Sequence, residues 1–220
     1  MPISSRKAPQ SAVVHMSLYA LKPRFQALLR PLVARLAENR VTANGVTIAA
    51  AAGSVAIGAL VLWKHEYRLI FLSVPLWLFV RMALNAIDGM LAREFGQQSR
   101  LGAYLNEICD VISDAALYAP FAMVVPFGPV AIAAVIFLST LTEFAGVLGP
   151  TVGASRRYDG PLGKSDRALV FGALGLWIAI GGALPDWLFW LMPLLGILLL
   201  VTTANRVRAG LAETKRGRAV

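Results

Sequence analysis

Between Arg81 and Asp114, in RMALNAIDGMLAREFGQQSRLGAYLNEICDVISD, the residues Asn85, Asp88, Asn106, Glu107, Asp110 and Asp114 fall on two segments otherwise apolar enough for a bilayer. A carboxylate at bilayer depth is costly unless it is paired, hydrated or bound to an ion, so such residues are functional-site candidates. Asn85 and Asp88 are three apart, and Asn106, Asp110 and Asp114 step by four, so each set lines one face of a helix. Gly89 and Ala92 on the first helix, with Gly102 and Ala103 on the second, remove bulk and let two backbones or a flat ligand approach. Converging oxygens of this kind suit a hard divalent cation. Mg2+ in particular is held by a few carboxylates together with substrate phosphates.

These helices must be positioned by a membrane scaffold. With 220 residues, 57% hydrophobic and 15% charged, the chain reads as an all-α polytopic membrane protein without a large soluble remainder. Residues 1–12 read as a disordered basic tail, since MPISSRKAPQS lacks the apolar core of a signal peptide. Residues 13–41 interleave apolar residues with Lys22, Arg24, Arg30 and Arg35, the pattern of a basic amphipathic juxtamembrane helix in the interface, broken or kinked at Pro23 and Pro31. Its basic face is either merely solvated or in contact with anionic lipids.

Residues 42–205 divide into six apolar spans: Gly45–Trp63, Leu69–Leu91, Gly102–Met123, Val130–Leu148, Asp166–Leu184 and Trp187–Thr203. Residues 206–220 form a basic tail. Counted by segment, eighteen Lys and Arg fall on the side of the termini and two, Lys64 and Arg68, on the other. The excess places both termini, and the ends of the helices bearing Asp88 and Asp110, in the cytoplasm. Arg81, one turn before Asn85, is positioned to pair with a site carboxylate or an anionic substrate, and Glu143 with an arginine unless it joins the site. The lone Cys109 excludes a disulfide framework and reads as small-residue packing. The net charge of +9 is concentrated on one surface, but no nucleic-acid recognition module accompanies it.

The segment from Asn85 to Asp110 resembles the CDP-alcohol phosphotransferases, whose pattern is D-x2-D-G-x2-A-R-x8-G-x3-D-x3-D. Asp88, Gly89, Ala92, Arg93, Gly102 and Asp110 match at the family spacing, while Asn85 and Asn106 stand where the pattern has its first and third aspartates. In that family the first three aspartates hold a pair of divalent ions and the fourth activates the acceptor hydroxyl. The resemblance therefore implies that Asn85, Asp88, Asn106 and Asp110 hold one or two Mg2+ or Mn2+ ions, the asparagines through carbonyl oxygens. Asp110 or Asp114 would take the acceptor proton, and Asp114 or Glu107 would replace missing charge.

VTANGVT, from Val41 to Thr47, is similar to the family's T-P-N-x-L-T signature, which puts Thr42 and Asn44 at the nucleotide unless they only cap a helix. Gly89, Ala92, Arg93 and Gly102 would complete the nucleotide subsite. GKSDRA, from Gly163 to Ala168, looks like a Lys-containing stretch with which family members bind an acceptor's phosphate, so Lys164, Arg156, Arg157 and Arg167 are candidates for the acceptor, or else anchors to the membrane surface. The implied activity is transfer of a phosphatidyl-type group from CDP-diacylglycerol, or a similar CDP-lipid, to an alcohol or polyol-phosphate acceptor, with release of CMP, in phospholipid biosynthesis. A homodimer is implied as well. The two asparagines also fit a non-catalytic CDP-lipid binder. A transporter fits less well, since its polar residues recur near the midplane of several helices.

Overall fold

The computed structural model describes residues 21–217. Seven α-helices make up the described chain: α1 (Leu21–Glu38), α2 (Ala43–Trp63), α3 (Ser73–Glu94), α4 (Arg100–Tyr118), α5 (Pro129–Val147), α6 (Lys164–Gly181) and α7 (Leu191–Gly217). Short 3-10 turns at Arg68–Leu72, Ala119–Met123, Gly149–Val152 and Asp186–Trp190 complete the connections, and no strand occurs among the described residues. The expected tail at 1–12 lies outside the described residues, as does the first part of the juxtamembrane segment.

Local chemistry sets the ends of the helices that carry the motif. The end of α1 is a Schellman turn, with Val41 N–H donating to Leu36 O (2.9 Å) and Arg40 N–H to Ala37 O (3.0 Å). Arg40 takes the left-handed φ of 59° that glycine usually supplies there. Contrary to the expected break, α1 continues through Pro31. The Thr42 hydroxyl caps α2 by accepting from Gly45 N–H (3.1 Å), and Ser99 caps α4 by accepting from Gly102 N–H (2.9 Å). Gln97, between α3 and α4, accepts from Ala43 N–H (2.7 Å) and donates to Val41 O (3.2 Å), which ties the start of α2 to that loop.

Two apolar clusters hold the bundle. Val33, Ala43, Val46, Ile87, Met90 and Leu91 bury α1 and the start of α2 against the motif half of α3. A larger cluster joins the rest and contains Tyr118 stacked on Phe171 (ring centroids 3.8 Å apart), with Phe121 edge-on to Phe171. At Gly58 the backbone of α2 lies directly against Ala116 of α4, leaving no room for a side chain. This close crossing sets α4 beside α2.

Among the described residues, four helical segments are long and apolar enough to cross a membrane: Ala43–Trp63, Arg68–Glu94, Pro129–Val147 and Asp186–Arg216. The third and fifth expected spans are also helices, α4 and α6, but they carry charged residues, Glu107, Asp110 and Asp114 in one and Lys164, Asp166 and Arg167 in the other. At the far end, α7 runs on to Gly217, so Arg206, expected in a tail, is inside the helix and 2% exposed.

Candidate active site

Asn85 and Asp88 lie on α3, and Asn106 and Asp110 on α4, which Arg81 of α3 reaches through Asp110 and Asp114. Asp88 is buried, and its Oδ2 accepts from the Thr47 hydroxyl (2.8 Å) of α2, which also approaches the Ala43 carbonyl. Asn85 and Asn106 are half-buried, with Asn106 Nδ2 3.5 Å from Glu107 Oε1.

Asp110 is already engaged. Arg81 Nη2 donates to its Oδ1 (3.1 Å) and to its backbone carbonyl (3.2 Å), while Lys164 forms an ion pair with Oδ2. Arg81 also donates to Asp114 Oδ1 (2.6 Å), and Arg167 donates to Asp114 Oδ2 (3.1 Å). Asp114 is 5% exposed, with both oxygens occupied. As at Asp110, both carboxylate oxygens face cations, here two arginines that Asp114 holds in place.

The chain of ions continues beyond Asp114. Arg167 donates to Glu143 Oε1 (3.0 Å), and Arg206 Nη1 donates to Glu143 Oε2 (3.2 Å) and to the Thr142 carbonyl. Arg156 pairs with Glu107 and lies 3.9 Å from Glu143 Oε2, its guanidinium over the Tyr158 ring at 4.8 Å. Glu143 is thus an arginine partner. Arg167, expected to meet the acceptor, is 1% exposed and belongs to this buried chain. Arg157 is turned to Asp159 (2.9 Å) and to Glu213 of α7 (2.6 Å), whose carboxylate also accepts from Ser155. The paired Arg157 holds the Asp159 carboxyl below the usual carboxylate range.

The expected nucleotide residues form two adjacent pairs. A side chain on Gly89 would come within 2.8 Å of Arg93 Nη2, and one on Gly102 within 2.8 Å of Asn44 Oδ1, so each glycine makes room for a polar group. Ala92 packs on the cluster around Met90, and the Thr42 oxygen is engaged as a cap. Sequence reasoning missed Thr47 and Gln97. Thr47 closes the VTANGVT signature, but its bond to Asp88, like those of Gln97 to Ala43 and Val41, is a tertiary contact that nothing local marks.

Among the described residues no group of three or more His, Cys, Asp or Glu is gathered to hold a metal ion. The oxygen donors at the motif are two carboxylates and two amides, an all-oxygen set suited to a hard divalent cation that takes further ligands from a substrate's phosphates.

Among the described residues, an all-helical bundle with four membrane-length helices and oxygen donors on two helices joined through Arg81 defines an integral membrane protein with a polar site beside a basic loop. The chain belongs to the CDP-alcohol phosphatidyltransferase family, whose sequence model matches residues 40–206. It is a membrane transferase of phospholipid biosynthesis by that membership. It is 49% identical over 197 residues to the inner membrane protein YnbA of Escherichia coli, covering 88% of this chain and 96% of that one. It is 30% identical over 190 residues to a phosphatidylinositol phosphate synthase of Mycobacteroides abscessus, with 84% of each chain covered. Among solved structures, the Mycobacterium tuberculosis phosphatidylinositol phosphate synthase with CDP-DAG bound superposes with a TM-score of 0.68 at 22% identity, over 82% of this chain and 92% of that chain. The same enzyme in complex with manganese and citrate gives 0.67 at 24% identity, over 82% and 87%. At these identities the likeness establishes the fold.

Proposed function

We propose that the protein transfers a phosphatidyl-type group from CDP-diacylglycerol, or a similar CDP-lipid, to an alcohol and releases CMP. The observation that carries this reading is the pairing of Asp110 of α4 with Arg81 of α3, the helix that bears Asp88, and with Lys164, inside the family-matched region. The bound CDP-DAG and manganese of the mycobacterial enzyme support the donor and the metal by analogy.

Asp88 and Asp110, with the carbonyl oxygens of Asn85 and Asn106, would hold Mg2+ or Mn2+. When bound, the ion neutralises charge on the pyrophosphate. In the reaction, an acceptor hydroxyl oxygen bonds to the phosphorus that carries the diacylglycerol, the bond from that phosphorus to the bridging oxygen breaks, and CMP leaves with the bridging oxygen. Asp110 takes the hydroxyl proton, and Arg81 and Asp114 fix where Asp110 points. Asn44 and Arg93, beside Gly102 and Gly89, contact the nucleotide, and Lys164 and Arg156 border the acceptor. We further propose six membrane crossings, with α4 and α6 as the third and fifth, α1 in the interface against anionic lipids, the site on the cytoplasmic side, and a homodimer.

The test is CMP release from purified protein given CDP-diacylglycerol, Mg2+ or Mn2+ and a panel of acceptors. Asp88→Ala and Asp110→Ala are each expected to lower the rate about a hundredfold or more, the usual cost of losing a transition-state contact or general base. The second reading, a CDP-lipid binder without turnover, is favoured by Asn85 and Asn106. It wins if the wild type releases no CMP with any acceptor while Asn85→Asp combined with Asn106→Asp does.

A further inference from the structure

Three buried polar atoms left over by the ion chain belong to residues that meet at one small space. Tyr118 of α4, Ser139 of α5 and Arg167 of α6 are 0%, 3% and 1% exposed. Among the described residues, the Tyr118 hydroxyl, Ser139 Oγ and Arg167 Nε have no hydrogen-bond partner. All three residues line the same cavity of about 10 Å3, together with Asp114 and Glu143.

Buried polar atoms are almost always paired, so three such atoms at one cavity point to a shared partner. The Ser139 hydroxyl stands apart from others on these helices. Thr47, Ser54, Thr140 and Thr202 each donate to the carbonyl four residues back, a bond that Ser139 does not make. Tyr118 is fixed by stacking on Phe171, and Arg167 by its bonds to Asp114 and Glu143, so both are held where they stand.

Size and charge narrow the occupant. One water molecule needs roughly 10–15 Å3 of such space, which leaves no room for a polyol or a phosphate. An anion would lie against the carboxylates of Asp114 and Glu143, and a cation against the Arg167 guanidinium. Water carries no charge and both accepts and donates, so it can accept from Arg167 Nε–H and bond to both hydroxyls.

We propose that this cavity is a water-binding site, in which one ordered water joins Tyr118, Ser139 and Arg167 across α4, α5 and α6. Every nitrogen of the Arg167 guanidinium is then engaged: Nη1 at the Thr142 hydroxyl (3.4 Å), Nη2 at Asp114 and Glu143, and Nε at the water. The water helps to set the plane in which Arg167 holds those two carboxylates, independently of the chemistry at Asp88 and Asp110.

A crystal structure of the full-length protein in lipid, at a resolution that shows ordered water, tests the site directly. The expected result is one peak about 2.5–3.2 Å from Tyr118 Oη, Ser139 Oγ and Arg167 Nε. An empty cavity, or direct pairing of these atoms that closes it, overturns the proposal. Crystals grown with bromide in place of chloride separate water from an anion: an anomalous bromide peak in the cavity overturns the assignment, and a water peak without one supports it. Tyr118→Phe and Ser139→Ala, singly and together, are compared by melting temperature in detergent. The two side chains make no direct hydrogen bond, so a common water predicts that the double variant loses clearly less than the sum of the single losses. Losses that add in full mean separate partners and overturn the shared site.

Discussion

Asp88 on α3 and Asp110 on α4 are treated differently by the protein: one accepts a side-chain hydrogen bond from the Thr47 hydroxyl, the other is gripped by Arg81 and Lys164. Asp114 carries the structural load of that arrangement, since Arg81 and Arg167 both depend on its oxygens. Deleting one partner of a buried ion pair strands the others. Asp114→Ala is therefore expected to cost about 3–5 kcal/mol of stability, measured as a loss of thermal stability in detergent with the same CDP-lipid Michaelis constant in the fraction that remains folded. A fully stable variant with no turnover would return Asp114 to the chemistry. The facial grouping of Asn85 with Asp88, and of Asn106 with Asp110, was legible because helical spacing alone sets it. The same spacing put Asp114 on the motif face but says nothing of which side chain reaches it first. Arg81 was readable as a partner from its position one turn away; Thr47 and Gln97 were not, because each acts across a tertiary contact.

The start of α2 has two interpretations in the sequence, a helix cap and a nucleotide contact, and its geometry favours different answers at its two polar residues. Thr42 spends its oxygen on Gly45 N–H, whereas the Asn44 amide lies against Gly102 of α4. Thr42→Ala is expected to cost about 1 kcal/mol, seen as a lower melting temperature without a change in the CDP-lipid Michaelis constant. Asn44→Ala should raise that constant with little effect on melting. A reversed pattern would make Thr42 the nucleotide contact. Helix boundaries were legible at Thr42, where a capping residue marks the start of α2, whereas α4 begins at Arg100 after its Ser99 cap, ahead of the expected Gly102, and α6 ends at Gly181, before Gly182 with φ of +82° and short of the expected Leu184. They were not legible at the end of α7. A run of Arg and Lys looks like a solvated tail whether the helix stops or continues, and only the burial of Arg206 against Glu143 shows that it continues.

For the molecule as a whole, the six-crossing arrangement makes sidedness the decisive measurement. Single cysteines introduced at Arg6, Glu66 and Lys215 are expected to label so that Glu66 alone faces the exterior; any other pattern breaks the proposed topology. The all-helical class followed from composition and the apolar runs, and the third and fifth expected spans coincide with the helices α4 and α6, whose charged residues dilute the apolar signal. One long element ties these levels together. Because α7 is a single helix from Leu191 to Gly217, it carries Arg206 to the buried ion chain and Glu213 to the loop at Ser155 and Arg157. It works as a splint, strapping a surface loop to the interior from outside the motif. A chain ended after Gly210 keeps every motif residue but loses the strap. Limited proteolysis of that truncated protein is expected to cut between residues 149 and 163 far faster than in the full chain, and a purification tag is better placed at the other terminus.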